Sequence, residues 1–301
     1  MPKRLATPTL PARPMADVAA GESRDRSAGG ALSLLRGLRI LEIFSERGEG
    51  LSLAELARQL AVNKAIALRL AEALVQAGFL FRHEQTGLYE LTFKLSNLGL
   101  RKLDNARILD QAGGVLRRLA ERTGELARLA VVEHGERITW VLAAAGENRS
   151  LRIDPNYSMD VGLASHATGK AWLATMPWER AWALVQAQGV PKLTPHTLVR
   201  KADIEADIAA ATRRGYATSY EENELGVGAV AAPILVRPVS GGDSCVGVIS
   251  LAAPSYRLSR AALEATAPLV IEATRELAAI WPIDGRTGVR GFSANIASLA
   301  A

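Results

Sequence analysis

The stretch from Ser52 to Gly78 constrains the fold most, because it places two helix starts close together. Ser52 and Glu55 have the spacing of a capping box, in which the serine hydroxyl accepts from the Glu55 amide and the carboxylate reaches back. This pattern predicts a helix over 53–60. Asn63 is a second favourable cap, and it predicts another helix that ends at Gly78. Only a short turn therefore separates the two helices.

Further signals lie on both sides of this helix pair. Upstream, apolar residues at helical spacing over 34–44 predict a first helix that ends at Gly48. Downstream, 79–82 and 88–92 alternate as strands do around a turn at 84–87, which predicts a hairpin. Helix, helix, short turn, helix and hairpin form a winged helix-turn-helix, a DNA-binding layout. The alternative is a small three-helix bundle without a DNA partner.

The third helix of this layout is expected to bury one face and to keep a polar strip on the other. Lys64 stands at its amino end on the exposed side, which is the side that enters the major groove in such motifs. The residues expected to be buried are Ile66, Leu70, Ala73, Leu74 and Ala77.

The charge distribution favours a polyanionic partner for the same region. Residues 1–105 hold fifteen Lys and Arg against eleven Asp and Glu, whereas the remaining residues hold twenty-one against twenty. Most of the formal net charge of +5 therefore lies in the first third of the chain. A bias of this size also occurs on ordinary solvated surfaces, so it only adds to the motif.

The rest of the chain mixes helices and strands, which is typical of an α+β domain that holds a small ligand. The predicted organisation is a disordered arm (1–30), the winged helix-turn-helix (31–93), a connector helix (94–106), an effector-binding domain (107–281) and a loose tail (282–301). Within the effector-binding domain we expect helices over 108–122, 167–175, 178–188, 201–214 and 260–280, and strands over 126–133, 137–144, 215–219, 229–236 and 245–253.

Patterns typical of enzymes are incomplete in this sequence. Around Gly169 and Lys170 a phosphate-binding loop would need an earlier glycine where Ala164 stands, and Gly226 and Gly228 lack the third glycine of a dinucleotide site. The four histidines share no metal-ligand spacing with each other or with the single cysteine. The sequence therefore predicts no catalytic residue, no metal and no cofactor.

The sequence also predicts a cytoplasmic protein. The longest apolar run, over 227–236, has ten residues, about half of a membrane span. The first twenty residues lack the apolar core of a signal peptide. Because Cys245 is the only cysteine, no intrachain disulfide is possible, and a reducing compartment fits.

Three stretches resemble the IclR family of bacterial transcriptional regulators, and the resemblance extends over about residues 32–281. They are the helix-turn-helix residues 36–42, 53–57 and 69–70, the segment Ala167-Thr168-Gly169-Lys170-Ala171-Trp172-Leu173-Ala174, and the segment 215–233 with its Gly215-Tyr216-Ala217 start and Ala229-Val230-Ala231-Ala232-Pro233 end. The resemblance implies an N-terminal DNA-binding domain, a C-terminal effector-binding domain of GAF-like α+β fold, and assembly into dimers or tetramers.

Together the motif and the resemblance indicate DNA-contacting residues. Recognition helices of the family often begin with Lys-Ser-Thr, whereas here Lys64 is followed by Ala65 and Ile66, which removes two hydroxyls that could bind phosphates or base edges. Ala65 and Leu68 can offer only apolar contact, for example to thymine methyl groups. Specific hydrogen bonds would then fall to Asn63, Lys64 and Arg69. The full set of predicted DNA contacts is Arg36, Asn63, Lys64, Ala65, Leu68, Arg69, Arg82 and His83.

For the effector, the resemblance implies one cavity bounded by four segments. Members that bind small acids often carry Asp, Cys and a second Ser where this chain has Ser219, Ala229 and Ala252, and only Ser250 keeps its polar type. We therefore expect an organic acid with a hydrophobic or aromatic body rather than glyoxylate or pyruvate. The alternative is that these small residues merely pack strands against helices. The predicted effector-binding residues are Ala167, Thr168, Ser219, Glu222, Val227, Ala229, Ser250 and Ala252.

The sequence thus predicts a ligand-responsive transcriptional regulator that binds a two-fold symmetric operator and controls a catabolic or transport operon. One rival is an enzyme that acts on a small acid and uses its N-terminal domain for assembly. Another is a structural DNA-binding protein whose second domain holds no ligand. The sequence leaves open the effector, the operator and whether transcription is repressed or activated.

Overall fold

A computed structural model describes residues 26–47, 49–105, 108–146, 153, 160–237 and 243–281. The chain divides into a smaller unit that ends at Lys102 and a larger unit that begins at Leu103. The predicted tail and residues 1–25 of the predicted arm lie outside the described residues.

The smaller unit has the winged helix-turn-helix order that the sequence predicts. Its two short strands pair antiparallel, with Leu80 opposite Leu91. The first helix starts at Arg26 rather than near Ala31, so the last residues of the predicted arm are helical. The elements are α1 (Arg26–Arg47), α2 (Leu53–Gln59), α3 (Lys64–Gln76), β1 (Leu80–Arg82), β2 (Tyr89–Leu91) and α4 (Lys94–Asn105).

The predicted caps form, but one capping box is only half made. The Ser52 hydroxyl accepts from the Glu55 amide at 3.3 Å, and Asn63 Oδ1 accepts from the Ile66 amide at 2.9 Å. The Glu55 carboxylate instead accepts from Arg47 and Arg58, at 3.3 and 2.9 Å. The second hydrogen bond of the box, from the Ser52 amide to the Glu55 carboxylate, is therefore replaced by hydrogen bonds from two guanidinium groups.

Most of the predicted core face of α3 is confirmed, with one correction. Leu70 is buried, and Ile66 and Leu74 pack against the same core. Ala73 and Ala77 are exposed, whereas Ala67 and Ala71 are buried. Ala73 lies about 120° around the helix from Ala67, and Ala77 stands past the last helical residue, so neither reaches the core. The core of this unit consists of Ile40, Ile43, Phe44, Leu51, Leu56, Leu70, Ala71, Leu80 and Tyr89.

The connector helix α4 is tied to the carboxyl end of α3. Lys94 Nζ donates to the Ala77 carbonyl at 2.5 Å and lies 4.8 Å from the centre of the Phe79 ring. The Thr92 hydroxyl donates to the Gly78 carbonyl at 2.7 Å. The start of α4 is therefore fixed against the helix that carries the predicted DNA contacts.

The larger unit is a five-stranded antiparallel sheet with helices on both faces. The strand order is β4-β3-β7-β6-β5. Two strands and two helices coincide with the predicted bounds, and the others differ by a few residues at their ends. The elements are α5 (Ile108–Thr123), β3 (Leu126–Glu133), β4 (Arg137–Ala144), α6 (Ala167–Leu173), α7 (Trp178–Gln188), α8 (Lys201–Arg214), β5 (Ala217–Tyr220), β6 (Val227–Val236), β7 (Ser244–Pro254) and α9 (Arg260–Ala279).

Each face of this sheet has its own core. Val230, Ile249 and Leu251 pack with α5 and α9 on one face. Ala231 and Val248 pack with α6, α7 and α8 on the other. Because strand residues alternate between faces, every second residue of β5, β6 and β7 points towards α6. That α6-covered face holds the predicted effector residues.

Candidate functional site

The exposed side of α3 carries all the predicted contacts of the recognition helix. Asn63, Lys64, Ala65 and Arg69 are exposed, and Leu68 is half-buried at the edge of the same side. We call these five residues the recognition face. Residues three and four positions apart share one side of a helix, so Lys64, Ala65, Leu68 and Arg69 form a continuous surface that begins at the cap Asn63.

The two cations of the recognition face are available for an external partner. Lys64 and Arg69 make no ion pair and no side-chain hydrogen bond within the part of the chain that the structure describes. Asn63 uses its Oδ1 atom to cap α3, which leaves its amide nitrogen as a donor. Positive charge and one amide donor are therefore presented at the amino end of the helix.

The wing carries two of the predicted DNA contacts, one exposed and one half-buried beside a carboxylate. Arg82 is exposed, and its guanidinium lies 5.5 Å from the centre of the Tyr89 ring. His83 is half-buried, and its Nε2 atom lies 2.9 Å from Glu90 Oε2. Arg82 is thus better placed than His83 to contact a phosphate. Arg36, the remaining predicted contact, is half-buried on α1.

Exposed leucines mark two helices of the smaller unit. On α1, Leu34, Leu35 and Leu38 are each at least half exposed. On α4, Leu98 and Leu100 are exposed. An isolated exposed leucine is ordinary, but several on one short stretch of helix are typical of an interface.

In the larger unit, strand pairing aligns the predicted effector residues. Ser219 is opposite Ala229 between β5 and β6, and Ala229 is opposite Ala252 between β6 and β7. Directly opposite residues share one face of a sheet, so the three form a row. Ser250 belongs to the next row, opposite Ala231. Val227 precedes Ala229 on the same face, and both remain partly exposed.

Helix α6 covers these rows closely. Ala167 and Thr168 are buried in its first turn. A Cβ atom on Gly169 would stand 2.5 Å from Leu163 Cα, so only glycine fits there. This close approach fixes the height of α6 above the segment 160–166 and thus of Thr168 above the sheet.

The two predicted serine hydroxyls differ in what they bind. Ser219 Oγ donates to the Ser165 carbonyl at 2.7 Å and is satisfied within the fold. Ser250 is 1% exposed, and its Oγ atom has no hydrogen-bond partner among the described residues. A buried hydroxyl without a partner is uncommon, and it is expected where a ligand or water completes a site.

Glu222, a predicted effector residue, uses its carboxylate inside the protein. Both oxygens lie 2.6 Å from Lys170 Nζ, and Asp207 Oδ2 lies 2.7 Å from the same nitrogen. Burial raises the pKa of Glu222, although Lys170 opposes this shift. The hydroxyls of Thr194 and Thr197 bind its backbone carbonyl. Glu222 therefore links its loop to α6 and α8.

Sequence reasoning missed the cation at the centre of this cluster. Lys170 is 1% exposed although its side chain is charged. The signal in the sequence was a single lysine in an otherwise uncharged helix, Ala167–Leu173, which is a pattern of a buried helix. Asp207 and Glu222 are far from it in sequence, so only the fold identifies them as its partners.

A second group missed by sequence reasoning surrounds Ser250. Arg128 on β3 is directly opposite Ser250, and its guanidinium carbon lies 4.0 Å from the centre of the Trp140 ring. The His166 ring packs edge-on against Trp140 at a centroid distance of 6.4 Å. We call Arg128, Trp140, His166 and Ser250 the Trp140 corner.

Histidine 166 is neutral in this corner. Burial, and then the nearby charge of Arg128, lower the pKa of His166 to about 3. Its Nδ1 atom accepts from the Gly162 amide at 2.8 Å. The proton of the neutral ring is therefore on Nε2, which makes that atom a hydrogen-bond donor.

Two kinds of feature are absent from the regions that the structure describes. No group of three or more His, Cys, Asp or Glu side chains there is placed to hold a metal ion. None of the helices described is both long and apolar enough to span a bilayer.

Two family models match the chain in the order of its two units. The IclR helix-turn-helix domain matches residues 33–84. The model of the bacterial transcriptional regulator IclR C-terminal domain matches residues 100–279, more than half of the chain.

Curated and solved relatives agree with these models. The HTH-type transcriptional repressor AllR of Escherichia coli K12 is 26% identical over 258 residues, which is 85% of this chain and 93% of AllR. The transcriptional repressor IclR of the same strain is 26% identical over 251 residues, covering 83% and 90%. A crystal structure of an IclR transcriptional regulator from Silicibacter sp. TM1040 is 27% identical, with a TM-score of 0.67 and coverage of 82% and 95%. The chain belongs to the IclR family of bacterial transcriptional regulators.

Proposed function

We propose that the chain represses a catabolic or transport operon by binding a two-fold symmetric operator, and that a small organic acid controls this binding. The observation that carries the proposal is the recognition face, which presents cations with no partner among the described residues on the third helix of a winged helix-turn-helix. The curated relatives are transcriptional repressors and not enzymes, which decides against the enzyme alternative. Such a regulator acts in the cytoplasm.

In the DNA complex, α3 lies in the major groove and its recognition face reads the bases. Lys64 and Arg69 donate to base edges or phosphates, and the Asn63 amide nitrogen adds one further donor. Ala65 and Leu68 contact thymine methyl groups, since they offer only apolar surface. Arg82 on the wing and Arg36 on α1 bind flanking phosphates, and His83 joins them when it leaves Glu90.

Self-association of the chain provides the two-fold symmetry that matches the operator. One recognition helix makes too few base contacts for a specific site, so a dimer doubles them over two half-sites. The exposed leucines of α1 and α4 supply apolar surface for contact between two copies. Pairs of dimers form tetramers on operators with more than one such site.

In the larger unit the effector occupies the α6-covered face of the sheet. We place it beside Ser250, where the small side chains of Ala229 and Ala252 are opposite each other on β6 and β7. Val227 on β6 and the buried Ala167 and Thr168 on α6 are the other residues of the proposed site. Ser219 and Glu222 stabilise the structure around the effector, because their side chains form hydrogen bonds within the protein. The effector shifts DNA binding only if it binds the two arrangements of the DNA-binding domains with different affinity.

A selection experiment tests the proposal. The full chain is used to select duplexes from a random DNA pool, and we expect an inverted repeat with half-sites one or more helical turns apart. Lys64→Ala and Arg69→Ala are expected to lose this selection, whereas Lys192→Ala and Arg213→Ala, which change exposed cations of the larger unit, keep it. Recovery of no common sequence would contradict operator recognition and favour a structural DNA-binding protein.

A second variant tests the effector face. Ala229→Phe puts a large side chain opposite Ala252, in the proposed effector site. It is expected to abolish any saturable response of DNA binding to organic acids while DNA binding itself remains. An unchanged response in this variant would place the effector elsewhere.

A further inference from the structure

We infer that Glu72 on α3 accepts a hydrogen bond from a cytosine in each half-site of the operator, and thereby determines part of the DNA sequence that the chain selects. The inference rests on the proposed function and deepens it, because it names one base of the operator and the residue that reads it. The DNA contacts predicted from the sequence include no acidic residue, so this role is additional to them.

Glu72 extends the recognition face by one helical turn. Its side chain is exposed, as are those of Ala65 and Arg69. Because an α-helix turns about 100° per residue, Glu72 lies only about 20° from Ala65 and about 40° from Leu68 around the axis of α3. When Ala65 and Leu68 face the bases of a major groove, Glu72 therefore faces them as well.

The carboxylate of Glu72 has no ion pair and no side-chain hydrogen bond within the described part of the chain. On α1, Arg39 and Glu42 are three residues apart and form an ion pair at 2.8 Å. Arg69 and Glu72 have the same spacing on α3, and yet they form none. Both side chains are therefore left for an external partner.

A negative charge at this position needs such a partner. The helix dipole stabilises an anion in the first turn, whereas Glu72 stands in the second half of Lys64–Gln76. The phosphates of DNA also repel a carboxylate, so Glu72 lowers the affinity of α3 for DNA in general. A hydrogen bond from a base offsets this repulsion only at the matching sequence, which makes the residue a determinant of specificity.

The hydrogen-bonding chemistry of a carboxylate decides which base Glu72 reads. An ionised carboxylate only accepts hydrogen bonds. In the major groove guanine presents two acceptors, and thymine presents an acceptor and a methyl group, so neither base can donate to it. Adenine presents an amino group beside the acceptor N7, whereas cytosine presents the N4 amino group alone. Cytosine is therefore the base that donates to Glu72 without placing a second acceptor against it.

Sequence selection with matched variants tests the inference. The full-length parent, Glu72→Gln, Glu72→Ala and the control Glu46→Gln each select duplexes from the same random pool. Glu46 is also exposed, but it lies on α1. Changes at exposed helical positions leave the fold intact, and circular dichroism confirms this for each variant. We expect the parent and Glu46→Gln to select the same inverted repeat, with a cytosine required at one position of each half-site.

The two variants of Glu72 should change this requirement in different ways. A glutamine side chain pairs with N6 and N7 of adenine, so Glu72→Gln is expected to exchange the cytosine for adenine at that position. Alanine forms no hydrogen bond, so Glu72→Ala should accept any base there. In titrations, replacing this cytosine should weaken binding of the parent about 10-fold and leave the affinity of Glu72→Ala nearly unchanged. A glutamate with a merely structural role would not alter the choice of base.

Two results would overturn the inference while the proposed function stands. In the first, the parent and both Glu72 variants select the same inverted repeat. In the second, the Glu72 variants differ from the parent only at positions where the parent has no cytosine. If the parent itself selects no common sequence, there is no operator to read, and the proposed function fails together with the inference.

Discussion

At the scale of single residues, Lys170 shows how one buried cation can hold three elements of the larger unit together. Its ammonium group is buried between the carboxylates of Glu222 and Asp207, which come from the loop after β5 and from α8. Removing one member of a buried ion pair is costly, because the remaining charges have lost their partner and are still poorly solvated. The same lysine therefore ties α6 to α8 and to the loop after β5.

This gives a prediction on stability. Lys170→Met should lower the free energy of unfolding by about 3 kcal/mol, since it leaves two carboxylates without their cation. Urea unfolding followed by circular dichroism measures the change. Lys192→Met, at an exposed lysine, is the control and should stay within about 0.5 kcal/mol of the parent. Equal losses in both variants would contradict the role given to the cluster.

His166 gives a prediction on pH dependence. Its pKa is lowered from 6.5 to about 3, so between these values the unfolded chain takes up a proton that the folded chain excludes. The free energy of unfolding should therefore fall as the pH is lowered from 6.5 towards 3, by up to about 1.4 kcal/mol per pH unit from this group. His166→Asn keeps an acceptor for the Gly162 amide and removes the proton uptake.

The measurement is the free energy of unfolding of the parent and of His166→Asn at several pH values from 7.5 to 4.5. The parent should lose stability more steeply than the variant below pH 6.5, and the slopes should agree above it. Parallel profiles over the whole range would mean that His166 is not kept neutral by its surroundings.

At the scale of elements, most of the helix and strand boundaries were predicted from local sequence signals. The caps at Ser52 and Asn63, the stop at Gly78 and the turn between β3 and β4 each depend on neighbouring residues, so the sequence alone indicates them. Strand register depends on distant residues. Arg128 is opposite Ser250 because β3 lies beside β7, and no local sequence pattern predicts this pairing.

The same reason explains which parts of the candidate site the sequence could predict. The recognition face was predicted because helical periodicity separates its exposed side from its core. The small residues on the α6-covered face of the sheet were predicted from the family resemblance. Lys170 and the residues around Ser250 in the Trp140 corner were missed, because their partners come from segments far apart in the sequence. The partner of Glu222 is likewise seen only in the folded chain.

The cap of the recognition helix gives a prediction at this scale. Asn63→Ala removes the bond to the Ile66 amide and should destabilise the smaller unit by about 1 kcal/mol. Asn63→Asp keeps the cap but adds a negative charge beside Lys64, so it should preserve stability and weaken DNA binding. Thermal unfolding and DNA titration of both variants separate the two effects. Loss of DNA binding only in proportion to stability would contradict a direct role for Asn63.

At the scale of the whole molecule, the account requires a symmetric assembly. Static light scattering at micromolar concentration should give a dimer or a tetramer. Leu34→Glu combined with Leu38→Glu should shift the chain towards monomer, because both residues are exposed on α1 and carry the proposed contact. Leu225→Glu changes an exposed leucine of the larger unit and is the control. A monomeric parent would contradict a two-fold operator.

The most direct test of the central claim is the salt dependence of DNA binding by the recognition face. Affinity for a selected duplex is measured over a range of salt concentrations for the parent, Lys64→Ala, Arg69→Ala and the exposed control Lys192→Ala. If Lys64 and Arg69 each contact a phosphate, each loss should weaken binding and flatten the plot of log affinity against log salt by about 0.9 for every phosphate contact removed. A cation that binds a base edge should weaken binding to the selected duplex more than to random DNA. If both variants bind as tightly as the parent at physiological salt, with the same slope, α3 is not the element that enters the groove.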